Sequence, residues 1–210
     1  MLKKIILSLS LVSATAFAAD NTPDYYTGFQ LGYGNTQNSS ANLTLNHQAV
    51  SLIPNKHSGV AGRLFVGYAV SSFYAMEMGL EKYNSATWHT TIGGQSIADT
   101  SLSLYGADIA MRFSWINQSA FSVYNTLGLT YILANYGSYS DAFQLNKARY
   151  FLRPEMGVGG NYNVTNNTQI NVAYRHVFSR GHLNSAVNAS NSGDYLPTIG
   201  LASIGVIYNF

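Results

Sequence analysis

Three features of the sequence together predict an all-β fold, a transmembrane up-and-down antiparallel β-barrel of eight strands. They are a period-two apolar alternation that runs to the last residue, an export leader, and connections that alternate strictly between long and short. The alternation is clearest over Tyr195–Phe210, where Ala202, Ile204, Val206, Tyr208 and Phe210 fall at every second position. A strand turns successive side chains to opposite faces, so these five share one face. Ile204, Val206, Tyr208 and Phe210 are expected to serve as the assembly signal read by the barrel-assembly machinery.

The leader comes first in the chain. Lys3 and Lys4 precede a mostly apolar run from Ile5 to Val12, and Ala16-Phe17-Ala18 supplies small residues around a cleavage point. Its apolar part is shorter than the roughly 20 residues of a helical span. Residues 1–18 are therefore expected to be a signal peptide, and residues 19–210 a single barrel domain. Removing the leader leaves nine Lys and Arg against nine Asp and Glu, so the formal charge of +2 resides in the targeting segment. The mature chain has no basic face with which to hold nucleic acid. Cysteine is absent, which excludes thiol catalysis and thiolate metal sites.

Strands are expected at about 25–34, 59–70, 73–84, 101–115, 120–135, 148–164, 168–178 and 195–210. In the first, Phe29, Leu31 and Tyr33 face lipid, while Gly28, Gln30, Gly32 and Gly34 line a tight interior. Short connections fall at Ser71-Ser72, Asn117-Gln118-Ser119 and Thr165-Asn166-Asn167. Long ones span roughly 35–58, 85–100, 136–147 and 179–194. This asymmetry predicts periplasmic turns and external loops. Eight strands leave about 24 residues per strand and connection, against about 19 for ten, a tighter fit to loops of this length. Sixteen Tyr, ten Phe and two Trp exceed what a small core needs. Tyr33, Tyr68, Tyr74, Trp115, Phe121, Tyr131, Tyr150, Tyr162, Tyr174 and Tyr208 take outward positions, as interfacial girdles require. The first long loop is polar and Asn-rich apart from Val50 to Ile53, which is expected to pack on the rim or meet a partner.

Short motifs in a fixed order carry a resemblance to a known family. They are Tyr26-Thr27-Gly28 with Leu31-Gly32, Gly67-Tyr68-Ala69-Val70, Glu77-Met78-Gly79, Tyr124 with Leu127-Gly128, and Gly157-Val158-Gly159-Gly160. With these the mature chain resembles the OmpA-like eight-stranded outer-membrane domains, matching the barrel domain only. The resemblance implies a bacterial outer-membrane location. The chain stops at Phe210, so the peptidoglycan-binding domain of full-length relatives, and with it a tether to the cell wall, is expected to be missing.

Inward parity gathers Arg63, Arg112, Arg153 and Arg175 with Glu77, Glu81, Asp108 and Glu155. Two carboxylates could do general acid and base work. In a lumen too narrow for water flow, the expected role is instead a structural charge network in which four cations offset four anions. The resemblance implies that Glu77 and Arg112 take the parts of the family's interior carboxylate and its basic partner. Asn161 and Asn171 are inward but uncharged, so a switch of partners would have to use Glu155 and Arg175.

No catalytic, cofactor or metal site is expected. His47, His57, His89, His176 and His182 lack metal-binding spacing. The lipid A deacylases, which resemble this barrel, carry a His-x-Ser-Asn run. Here Asn184 follows His182-Leu183, and Ser185 falls on the opposite parity. The sequence thus points to a monomeric, non-enzymatic barrel in contact with outer-membrane lipid and lipopolysaccharide, contributing to envelope integrity or, through its loops, to adhesion to an extracellular ligand or host surface. Lys82 is expected to snorkel toward lipopolysaccharide phosphates. A lipid A-modifying enzyme and a barrel that binds a small apolar ligand are the alternatives.

Overall fold

The computed structural model describes residues 24–37, 41–45, 48–92, 95–117, 120–138, 147–179 and 196–210. They form eleven strands: β1 Asp24–Gln37, β2 Ala41–Leu45, β3 Gln48–Lys56, β4 Ser58–Ala69, β5 Tyr74–Lys82, β6 Ala86–Ile92, β7 Gln95–Asn117, β8 Phe121–Ser138, β9 Lys147–Asn163, β10 Thr168–Val177 and β11 Thr198–Asn209. Eight of them close a ring in the order β1, β4, β5, β7, β8, β9, β10 and β11, and every pairing is antiparallel. Closure joins the first strand to the last, from Gln37 opposite Thr198 down to Tyr26 opposite Asn209, and the Phe210 amide donates to the Tyr25 carbonyl at 3.0 Å. In hydrocarbon each unpaired backbone group costs several kcal/mol, so a closed ring is the sheet that can span a membrane.

The period-two expectation fixes the two faces. Ile204, Val206, Tyr208 and Phe210 are all exposed on the outside of β11, while Leu201, Ser203 and Ile207 are buried within. The proposed girdle rings follow the same rule, with Tyr33, Trp115, Tyr131, Tyr150, Tyr162, Tyr174 and Tyr208 exposed. Inside, large rings lie across glycines on the neighbouring strand: Phe65 over Gly28, and Tyr26 over Gly67. A Cβ at either glycine would collide with the ring, so these two positions have to stay bare.

The barrel has one end with tight turns, between β4 and β5, β7 and β8, and β9 and β10. The opposite end carries the long connections and is termed the outer end. There the expectation of loops over 35–58 and 85–100 needs correction. Residues 41–45 and 48–56 form β2 and β3, residues 86–92 form β6, and β7 begins at Gln95. β6 pairs with the outer part of β7, β3 with β6, and β2 with β3, so the wall continues past the ring as a further sheet. The cause is the 23-residue length of β7. A span needs only about 9 to 11 residues, and the remainder offers a backbone edge on which the next strand assembles. The apolar stretch Val50 to Ile53 accordingly lies in β3, opposite His89 to Ile92 of β6.

Candidate functional site: the barrel interior

The interior is layered. At the tight-turn end, Tyr26, Phe65, Ala75 and Ile207 form a buried apolar plug, backed by Ala69. Above it lies a polar layer, and above that a second apolar cluster of Tyr83, Ala86, Trp88, Leu102, Leu104, Ile132, Ala134, Phe151, Val177, Leu196 and Ile199 at the outer end.

The polar layer is organised by Arg63 on β4. Its Nη2 and Nε reach the two Asp108 carboxylate oxygens at 2.5 and 3.1 Å, its Nη1 reaches Glu77 Oε2 at 2.9 Å, and its Nε lies 3.4 Å from Glu81. The two bonds to Asp108 form the forked geometry in which guanidinium and carboxylate match best. Register explains the meeting: Arg63 sits directly opposite Glu81, while Asp108 on β7 sits opposite Gly79, whose lack of a side chain leaves room for the pair. Arg175 on β10 pairs with Glu155 on β9 at 2.5 Å and with Glu81, and approaches Asp108 at 3.8 Å. Arg112 on β7 reaches Glu77 at 3.5 Å, with its guanidinium 3.8 Å from the Tyr124 ring centre. The Tyr26 hydroxyl donates to Glu77 at 3.0 Å.

Of the eight inward charges identified in the sequence, the structure brings together seven. Arg153 stands apart, so the expected balance of four cations against four anions is corrected to three guanidiniums facing four carboxylates. The Arg153 guanidinium lies 5.1 Å above the Phe151 ring centre, and Nη1 donates to the Leu152 carbonyl at 3.3 Å. The physical reason is depth. Arg153 lies one step beyond Glu155 toward the outer end, where its inward neighbour along the strand is Phe151 of the apolar cluster.

Sequence reasoning also missed the partners of the neutral amides. Asn171 donates to Tyr124 Oη and to Asn161 Oδ1, each at 2.6 Å, and accepts from Gln30 Nε2. All four residues have inward parity, and that was the available signal; an uncharged side chain simply did not suggest a network. At the inner edge of the outer apolar cluster, Tyr83 Oη and Thr130 Oγ1 share a hydrogen bond of 3.2 Å.

Each buried carboxylate therefore faces a guanidinium and is shut off from both lipid and water, with Glu77, Glu81, Asp108 and Glu155 all at 5% exposure or less. An arrangement of this kind holds neighbouring strands together. Among the described residues no group of three or more His, Asp or Glu could hold a metal ion. His57 is exposed, and His176 packs against Phe178. His47, His182 and the Arg180–Ser185 segment lie outside the described residues.

A family model described as the OmpA-like transmembrane domain matches residues 19–210. An uncharacterized protein of Coxiella burnetii (strain RSA 493 / Nine Mile phase I) is 23% identical over the full length of both chains. Among solved structures, the outer membrane protein OprG of Pseudomonas aeruginosa is similar with a TM-score of 0.58 at 14% identity, covering 91% of this chain and 98% of that one. Neisserial surface protein A gives 0.52 at 15% identity, covering 90% and 100%. At such identities these likenesses establish the fold.

Proposed function

We propose, from the premise that this chain belongs to the OmpA-like transmembrane domain family and lies in the bacterial outer membrane, that it is a monomeric, non-enzymatic barrel that reinforces the envelope and presents its outer sheet to the surroundings. The observation that carries the reading is the filled interior. A plug at the tight-turn end, an ion-paired layer and an apolar outer cluster leave the strands mutually braced and give the carboxylates no substrate to act on. The charge network is structural in this reading. Residues 1–18 act as the export leader, and the exposed face of β11 with its terminal Phe210 recruits the barrel-assembly machinery. Outer-membrane lipid and lipopolysaccharide surround the apolar belt. An extracellular ligand or host surface meets the sheet made by β2, β3, β6 and the outer part of β7.

The test has two arms. Planar-bilayer recording of the purified barrel is expected to show no large stable conductance, because side chains fill a lumen of eight strands. Mass spectrometry of lipid A from cells with and without the protein is expected to give identical acyl and phosphate patterns. A changed pattern would replace this reading with a lipid A-modifying enzyme. The alternative of a small apolar ligand draws support from the apolar chemistry of the outer cluster. Native mass spectrometry that recovers a stoichiometric lipid from the purified barrel would favour it.

A further inference from the structure

We propose that the outer mouth of the lumen, along the first half of β9, binds a soluble saccharide bearing phosphate or sulfate groups through Arg149 and Arg153. The inference rests on reading the outer end as the end that meets the surroundings. The start of β9 reads Lys147-Ala148-Arg149-Tyr150-Phe151-Leu152-Arg153, three cations at odd positions with no anion between them, out of nine cations in the whole chain beyond residue 18. Arg149 and Arg153 flank the inward-facing Phe151, and each is partly accessible. No carboxylate among the described residues lies within ion-pair distance of either, whereas the three guanidiniums of the ionic layer all have one.

Arg153 has work left undone. One amino group caps the Leu152 carbonyl, yet its Nε is buried with no hydrogen-bond partner among the described residues. The last described rung on that side of β9 is the Phe178 amide on the Pro154 carbonyl at 3.0 Å, and β10 itself ends at Val177. Arg153 and Arg149 therefore stand beyond the end of β10. A half-buried guanidinium without a counter-charge among the described residues is unfavourable, and an incoming anion supplies a partner. Four residues along a strand separate the two positions by about 13 Å, a span suited to a ligand with several anionic groups rather than a single ion. Guanidinium forks match phosphate and sulfate oxygens two at a time. Inward parity selects the source. The cation on the lipid side is Lys82, exposed on the outer wall with its amine 5.9 Å from the Tyr105 ring centre, and lipopolysaccharide phosphates would meet that residue instead.

The experiment titrates the folded barrel in detergent micelles with a heparin-derived hexasaccharide, with its desulfated counterpart, and with lipopolysaccharide. The expected result is tight binding of the sulfated sugar only, weakened about tenfold or more by Arg149→Gln with Arg153→Gln, weakened less by the paired Lys variants, which keep the charge but lose the fork, and untouched by Lys82→Gln. Heat-modifiable gel mobility reports folding of each variant. Arg149→Gln alone, which removes none of the structural contacts described for Arg153, is expected to weaken binding about threefold or more. Equal binding of the sulfated and desulfated sugars, or full affinity in the double Gln variant, would overturn the proposal. So would lipopolysaccharide binding that depends on Lys82 while the sulfated sugar fails to bind. These readouts are independent of conductance and lipid A composition, so this proposal and the functional reading can fail separately.

Discussion

The ionic layer and the apolar cluster above it are built by the same strands on the same inward parity, yet their chemistry is opposite. β7 gives Arg112 and Asp108 to the first and Leu104 and Leu102 to the second; β9 gives Glu155 and then Phe151; β10 gives Arg175 and then Val177. The outer face changes in the reverse sense. Level with the ionic layer it shows Met78, Ile109, Leu129 and Met156, all exposed, whereas beside the outermost cluster residues Leu102, Leu104 and Ala134 it shows Ser103 and Asn135. One strand thus serves two solvents. In lipid, apolar groups face out and the polar interior must be self-paired. Beyond lipid, polar groups face out and the interior packs as in a water-soluble protein. The crossing falls at Tyr105, Leu133 and Tyr150, neighbours across β7, β8 and β9, where the apolar outer face gives way to a polar one.

The comparison breaks most visibly at Arg63, which serves three carboxylates at once. Arg63→Ala would leave them facing one another in a buried site, and losing one side of a buried pair typically costs about 3 to 5 kcal/mol. The urea midpoint of the refolded barrel should fall by more than it does for Arg112→Ala, since Arg112 has only Glu77 at 3.5 Å. A smaller fall for Arg63→Ala would mean that the layer is not organised around it. Next in size is Leu104→Ala, in the apolar cluster at 1% exposure. Deleting a buried Leu side chain costs about 2 to 5 kcal/mol. Because Leu104 lies just past the end of the apolar belt, the loss should be nearly the same in thin and thick bilayers, measured as the urea midpoint in vesicles of different acyl length. A strong dependence on thickness would return the cluster to the membrane.

How much of this was legible follows from what parity can and cannot say. Alternation located both faces of every barrel strand, closed β1 on β11 and brought Glu77, Arg112, Glu155 and Arg175 to the interior. Depth was not legible. Arg153 has the parity of Glu155, but two residues along the strand move it from the ionic layer to the edge of the apolar one, and only the three-dimensional stagger of neighbouring strands reveals that. Partner choice was hidden for the same reason. Glu77 was assigned to Arg112, whereas the shorter bond is to Arg63, which comes from the strand on the other side of β5. The outer strands β2, β3 and β6 escaped because their polar, Asn- and Thr-rich sequence resembles a loop until a long β7 offers an edge to pair with.

A finer test of the layering uses one methyl group. A Cβ at Gly79 would collide with Asp108 Oδ1 and sit 2.7 Å from Arg63 Nε, so Gly79→Ala displaces the forked pair without removing a charge. Overpacking of this kind typically costs about 1 to 3 kcal/mol. The variant should lose stability while keeping its outer boundary, read as unchanged labelling of a cysteine placed at Asn135 by an impermeant thiol reagent on intact cells. Loss of labelling would mean that the ionic layer also sets the height of the barrel in the membrane.

The smallest expected effect concerns Glu77 and Arg112. Arg112 is held in two ways, by the carboxylate at 3.5 Å and by the Tyr124 ring at 3.8 Å, so Arg112→Ala alone removes both and overstates the ion pair. A double-mutant cycle with Glu77→Ala isolates the pairwise term, which for residues in contact runs from about 0.5 to 3 kcal/mol. Arg63 competes for the same carboxylate at 2.9 Å, which should hold the Glu77 and Arg112 coupling to the low end of that range and below the coupling of Glu77 with Arg63. The double variant should recover part of the stability lost in Glu77→Ala, because it no longer leaves Arg112 facing an empty site. If the cycle gives no coupling, Arg112 is held by the aromatic ring alone, and the ionic layer reduces to the groups that Arg63 and Arg175 gather.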